Sequence, residues 1–97
     1  MIRDQALAIL SQHREEMARR FGLKRIALFG STARDEARPD SDVDVLVEFS
    51  VPATADAYFG LWEYLETLLG VKVDLATEPM IRPGMRPQVE RDLRYVT

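Results

Sequence analysis

Phe29-Gly30-Ser31, ten further residues, and then Asp42-Val43-Asp44 form the stretch on which the reading of this chain turns. Ahead of it, Lys24-Arg25-Ile26-Ala27-Leu28-Phe29 reads as a short strand, and its closing run of apolar residues suggests cover on both faces near its end. Gly30 and Ser31 terminate that strand. Ser31 is a good helix cap, and Thr32 to Ala37 can form a short helix. Arg38-Pro39-Asp40-Ser41 is rich in turn formers. A second strand runs from Asp42 to Phe49, where a period of two puts Val43, Val45, Val47 and Phe49 on one face and Asp42 and Asp44 on the other.

Outward from this stretch the apolar spacing changes. Between Asp4 and Phe21, Leu7, Leu10, Met17 and Phe21 recur at helical intervals with Ala6, Ile9 and His13 beside them, which predicts one amphipathic helix ending near Gly22. Ala55 to Leu69 predicts a second long helix with Phe59, Trp62, Leu65, Leu68 and Leu69 as its apolar face, and Gly70 closes it. Val71 to Ala76 is a third strand. Pro79, Pro83, Gly84 and Pro87 then punctuate an irregular arm, with a last helix from about Pro87 to Tyr95. Residues 1–97 therefore read as a single α/β (α+β) domain: a short sheet with a three-stranded core and helices packed mainly on one face.

Composition narrows the function. With 97 residues, 46% of them hydrophobic and 30% charged, the chain has the make-up of one folded domain with one small core. The absence of cysteine removes disulfides, thiolate-held zinc, iron–sulfur clusters and thiol catalysis together, and a cytoplasmic setting is the expectation. No apolar run is long enough for a membrane span. A net charge of −3 argues against broad electrostatic capture of nucleic acid, so no direct nucleic-acid binding is expected. Arginine outnumbers lysine, with clusters around Arg19-Arg20 and from Arg82 to Arg94, a preference suited to carboxylate or phosphate contacts or to a solvated helix surface. His13, the only histidine, has no second histidine to share a metal and reads as a boundary or core residue.

The acids carry the chemistry. Asp42 and Asp44, on one strand face with alpha carbons about 6.6 Å apart, are able to converge on a single ion, and Asp74 interrupts the third strand in the same manner. Carboxylates set among apolar strand residues call for a compensating cation. An oxygen-only ligand set of Asp42, Asp44 and Asp74 favours magnesium, with manganese as the alternative, over zinc. Gly30 lets the backbone approach a ligand, Ser31 and the amides behind it can donate to phosphate oxygens, and Arg34 stands one helical turn along. Ser41 either orients the loop that presents Asp42 or touches the substrate. Taken singly, Asp42 is a capping acid and Asp44 and Asp74 are solvent-facing strand residues. Their joint spacing with Gly30, Ser31, Arg34 and Ser41 makes that plainer reading the lesser one.

The string GSTARDEARPDSDVDVLVEF, residues 30–49, resembles the signature of the DNA polymerase beta-like nucleotidyltransferase superfamily, and the short chain resembles its minimal nucleotidyltransferase branch, the antitoxin partners of HEPN-domain toxins in prokaryotes. The resemblance spans essentially the whole chain. It implies that Gly30 and Ser31 form the nucleotide-phosphate loop, that Asp42 and Asp44 are paired metal ligands and that Asp74 is the third catalytic carboxylate. It further implies ATP as substrate, transfer of AMP to a tyrosine hydroxyl of a cognate HEPN toxin, and a complex with that toxin or self-association. Exposed aromatics at Tyr58 and Trp62 and the arginine-rich arm are the candidate contacts. A non-catalytic binding antitoxin, and a small-molecule or RNA nucleotidyltransferase acting with a second subunit, are the alternative expectations. One departure stands out: the family usually carries glycine after the arginine, where this chain has Asp35. Its charge is expected either to weaken nucleotide binding or to face solvent.

Overall fold

The computed structural model describes residues 1–97. Two helices, α1 (Arg3–Gln12) and α2 (Arg14–Phe21), precede strand β1 (Leu23–Phe29) and the short helix α3 (Gly30–Ala33). Strand β2 (Val43–Phe49), helix α4 (Ala55–Leu69) and strand β3 (Val73–Thr77) follow, and a 3-10 turn (Glu78–Met80) leads to α5 (Arg86–Asp92) and β4 (Arg94–Tyr95). The sheet is mixed and its order is β3-β2-β1-β4. β1 pairs antiparallel with β2 and with β4, whereas β2 and β3, linked through α4, run parallel. No helix is long and apolar enough to cross a membrane.

The expected first helix is two. At His13 the backbone leaves helical geometry (φ −109°, ψ 8°), and the ring Nδ1 bonds the Ile9 carbonyl at 2.9 Å. That carbonyl is the one an unbroken helix would offer to the His13 amide, which bonds Leu10 instead (3.2 Å). The side chain thus displaces the backbone by one carbonyl and bends the path between α1 and α2. The sheet also has a fourth strand in place of the final turns of the expected last helix. α5 stops at Asp92, and Arg94 and Tyr95 pair with Leu28 and Ala27.

One face of the sheet is covered. Ile26 and Leu28 from β1, Val43, Val45 and Val47 from β2, and Val73 and Leu75 from β3 meet Ala6, Leu10 and Met17 below and Leu61, Leu65 and Leu69 of α4. These last three, spaced by four, define the buried stripe of α4, so the expected face is rotated: Leu65 and Leu69 are buried, Trp62 and Leu68 lie at its flank, and Phe59 is exposed. The other face carries Arg25, Asp44, Glu48, Asp74 and Tyr95 by the same alternation that buries the valines.

Candidate active site

The site is assembled where three strand ends meet. Phe29, the last residue of β1, pairs with Asp44, and Asp44 pairs with Asp74 across the parallel ladder. Cross-strand partners share a face, so strand register alone places the two carboxylates side by side. Asp42 stands ahead of β2, exposed, where Val43 begins the strand by donating its N–H to the Lys72 carbonyl (2.9 Å).

Gly30 makes room for this. Its backbone is left-handed (φ +71°), and a Cβ there would collide with the Asp44 carboxylate, standing 3.0 Å from its Cγ and 3.3 Å from its Cβ. Any side chain at residue 30 would thus occupy the space in which Asp44 sits, besides straining the backbone. The expected helix after this glycine is shorter and earlier than Thr32 to Ala37: α3 covers Gly30–Ala33 and holds Ser31 in its first turn. Thr32 is fully buried, and its hydroxyl has no hydrogen-bond partner.

Asp44 is half-buried and its carboxyl is pushed up to about 6. Burial is the largest cause, followed by the negative charges of Asp74 and Asp42, with Asp74 close enough to share a hydrogen bond with the protonated form. Arg34 opposes the shift weakly. The three acids are not gathered into one compact ligand set. Asp44 and Asp74 form the close pair, and Asp42 adds the weaker repulsion.

Two expected phosphate contacts have other partners. The Arg34 guanidinium bonds Asp92 of α5 (Nη1 to Oδ2, 2.6 Å) and Glu36 (3.2 Å), so it clamps the end of α3 to the C-terminal segment. Ser41 closes its own loop: its hydroxyl accepts the Arg38 N–H, and its N–H donates to the Arg38 carbonyl, both at 3.0 Å. That is the loop-orienting role, immediately before Asp42. Asp35 is exposed and sits at φ +62°, the only non-glycine residue with a left-handed backbone. The position asks for a residue free to adopt that conformation, which accounts for a glycine there without any contact to substrate.

Tyr58 and Trp62 are half-buried, and their polar atoms bond carbonyls of β3. The signal for this role was the recurrence of Tyr58, Trp62 and Glu66 at every fourth residue. Asp92, the partner of Arg34, carried no local signal at all, being 58 residues away. The largest cleft, about 770 Å³, opens among Phe49, Pro52, Tyr58, Thr77 and Met80 at the far ends of β2 and β3, and none of the three acids lines it.

The arrangement matches known proteins over nearly its full length. A family model described as a nucleotidyltransferase domain matches residues 10–96. The protein adenylyltransferase MntA of Thermococcus cleftensis is 43% identical over 89 residues, which cover 92% of this chain and 90% of that protein. A solved structure assigned to the minimal nucleotidyltransferases superposes with a TM-score of 0.79 at 38% identity, covering 97% of this chain and 95% of the other. The complex of tri-AMPylated Shewanella oneidensis HEPN toxin with MNT antitoxin is similar at a TM-score of 0.64 and 20% identity, over 94% of this chain and 71% of that one. At that identity the likeness is one of fold.

Proposed function

The chain belongs to the nucleotidyltransferase domain family, and we propose that it is an adenylyltransferase antitoxin that moves AMP from ATP onto a tyrosine hydroxyl of a cognate HEPN-domain toxin. The observation that carries this reading is the packing of the Asp44 carboxylate against Gly30 on one side and beside Asp74 on the other, which joins a phosphate-side turn to an acid pair.

In this reading the tyrosine oxygen attacks the α-phosphorus of ATP, the bond from that phosphorus to the bridging oxygen of the β-phosphate breaks, and pyrophosphate leaves. Asp74 accepts the hydroxyl proton on its carboxylate, being the more exposed member of the pair. The backbone at Gly30 and the Ser31 hydroxyl face the phosphates, and Ser41 keeps the loop that delivers Asp42 closed. A hard divalent cation fits the donors, because two further carboxylates, Asp74 and Asp42, and no soft ligand face the half-buried Asp44, and Arg34 offsets their repulsion only weakly. Asp42, Asp44 and Asp74 are its proposed ligands, magnesium the proposed ion, and the chemistry it would supply is neutralisation of charge on the phosphates. Similarity to the Thermococcus adenylyltransferase supports the nucleotide half of this reading, and the fold shared with toxin-bound antitoxins supports the protein acceptor.

The test is intact mass spectrometry of the HEPN protein after incubation with this chain, ATP and magnesium. The expected result is added mass in whole steps of one AMP, abolished by Asp42→Asn with Asp44→Asn. Neutralisation of the toxin with no mass change, unaffected by those substitutions, would replace the enzyme with a binding antitoxin.

A further inference from the structure

Three side chains of α4 bracket Asp74. Tyr58, Trp62 and Glu66 lie four residues apart and form a single stripe on the helix. The Trp62 Nε1–H donates to the Val73 carbonyl at 2.7 Å, and the Val73 N–H donates to the Glu66 carboxylate at 2.9 Å. One turn away, the Tyr58 hydroxyl donates to the Leu75 carbonyl at 2.6 Å. Both sequence neighbours of Asp74 are therefore fixed by side chains of one helix.

β3 is the edge strand on its side of the sheet, bonded to β2 alone. In a parallel ladder the backbone groups of alternate residues turn to the neighbouring strand, as the Lys72 carbonyl does toward Val43, and those of Val73 and Leu75 turn away. An edge left so is free to shift or to pair with a foreign strand. The α4 stripe closes it. Tyr58 also lies in the field of Asp74: burial first, and then that charge, raise its phenol.

We propose that Tyr58, Trp62 and Glu66 are positioning residues that hold β3 in register so that the Asp74 carboxylate stays against Asp44. The inference rests on the reading of Asp74 as a member of the active site. A one-residue slip of β3 would turn Asp74 to the covered face and put Val73 or Leu75 in its place, so small freedom at this edge translates directly into loss of the acid pair.

The test uses the full chain and two readouts. Tyr58→Phe and Trp62→Phe each remove one donor. Glu66→Gln keeps an oxygen acceptor for the Val73 amide, whereas Glu66→Ala does not. Leu10→Val, in α1, lowers stability without touching β3. The first readout is the 13C resonance of the Asp74 carboxyl carbon at fixed pH without nucleotide; the second is kcat and KM for ATP in AMP transfer to the toxin. Tyr58→Phe, Trp62→Phe and Glu66→Ala should move the resonance and lower kcat roughly three- to tenfold at unchanged KM for ATP, as displacement of a reacting group does. Glu66→Gln should behave as wild type. An unmoved resonance in all three, or a loss of kcat no greater than in Leu10→Val at matched thermal stability, would overturn the proposal. Failure of the wild type to modify any acceptor would remove the function proposed above, and the Asp74 resonance would still decide whether the stripe sets its carboxylate.

Discussion

Glu48 and Asp44 lie on the same face of β2, four residues apart, and are treated in opposite ways. Glu48 is bonded by Arg25 at 2.6 Å with Lys24 at 3.6 Å, and Arg25 is itself stacked 5.5 Å over the Tyr95 ring. The Arg25 hydrogen bond accordingly holds the Glu48 carboxyl below its ordinary range. Asp44 is more enclosed, faces two other acids, and has its carboxyl pushed up to about 6. A sheet that supplies two cations to a partly exposed glutamate and leaves a half-buried aspartate among like charges accords with the proposal that the second is kept for a ligand. The same contrast separates two kinds of acid on one strand: one that stabilises the fold and one that the fold tolerates.

Replacing Asp44 should break that contrast most strongly. Asp44→Asn is expected to reduce AMP transfer by about a hundredfold or more, the scale for loss of a group that handles charge in the transition state. It should at the same time stabilise the fold at neutral pH. The folded carboxyl, near 6, lies above its usual 3.8, so its ionisation penalises the native state once pH rises past about 4, and in full above 6. Allowing for solvent screening over a half-exposed group, that penalty is about 1–2 kcal/mol, or a rise in Tm of roughly 5 °C or more for the variant at pH 7.5. The gain should vanish below pH 4. Glu48→Gln should do the reverse: a small loss at neutral pH that disappears in acid, because stabilisation by a lowered carboxyl is present above its unfolded value and lost as pH falls through the folded one. Thermal melts of both variants across pH 3–8 check the pair, and parallel pH dependences would erase the distinction.

Gly30→Ala sharpens the same comparison from the other side. The new methyl group meets the Asp44 carboxylate and occupies a left-handed backbone, so a loss of about 1–3 kcal/mol is expected. Combined with Asp44→Ala, which removes the carboxylate and leaves only the Cβ at 3.3 Å, the loss should shrink to little more than the backbone strain. Additive losses in a double-mutant cycle by denaturant unfolding would show that Gly30 and Asp44 do not share this space.

The region from Ile26 to Phe49 was legible because strand alternation and register are local: Val43, Val45 and Val47 announce the covered face, and Asp44 follows onto the other. Asp74 was equally legible from its interruption of an apolar strand. What escaped depends on distant or very small features. A two-residue strand such as Arg94–Tyr95 has no alternation to read, and its pairing with Ala27 and Leu28 is a tertiary event. The break at His13 turns on one side-chain hydrogen bond. Arg34 carries the right charge in the right place for a phosphate, yet Asp92, invisible at that range, engages it. α4 offered more apolar residues than one face can bury, and packing selected Leu61, Leu65 and Leu69 over Phe59.

Asp35 supplies the weakest and most discriminating case. Its position beside Arg34 suggested that its charge bears on nucleotide binding, whereas its φ of +62° offers a backbone explanation for the family's glycine. The carboxylate is exposed, and its one contact is at long range, the Arg3 N–H at 3.5 Å. Asp35→Gly relieves a left-handed residue that costs about 1 kcal/mol but adds freedom to the unfolded chain worth nearly as much, so a net stabilisation of about 0.5 kcal/mol or less is expected. ATP affinity, measured by calorimetry at low ionic strength where unscreened charge has its greatest reach, should not change. Asp35→Asn separates the causes, because it removes the charge and keeps a residue that tolerates the left-handed region. If Asp35→Asn and Asp35→Gly both tighten ATP binding without altering stability, the charge belongs to the site together with Asp44. If only the glycine variant moves, and moves only the melt, residue 35 belongs with Glu48, among the features that shape the fold.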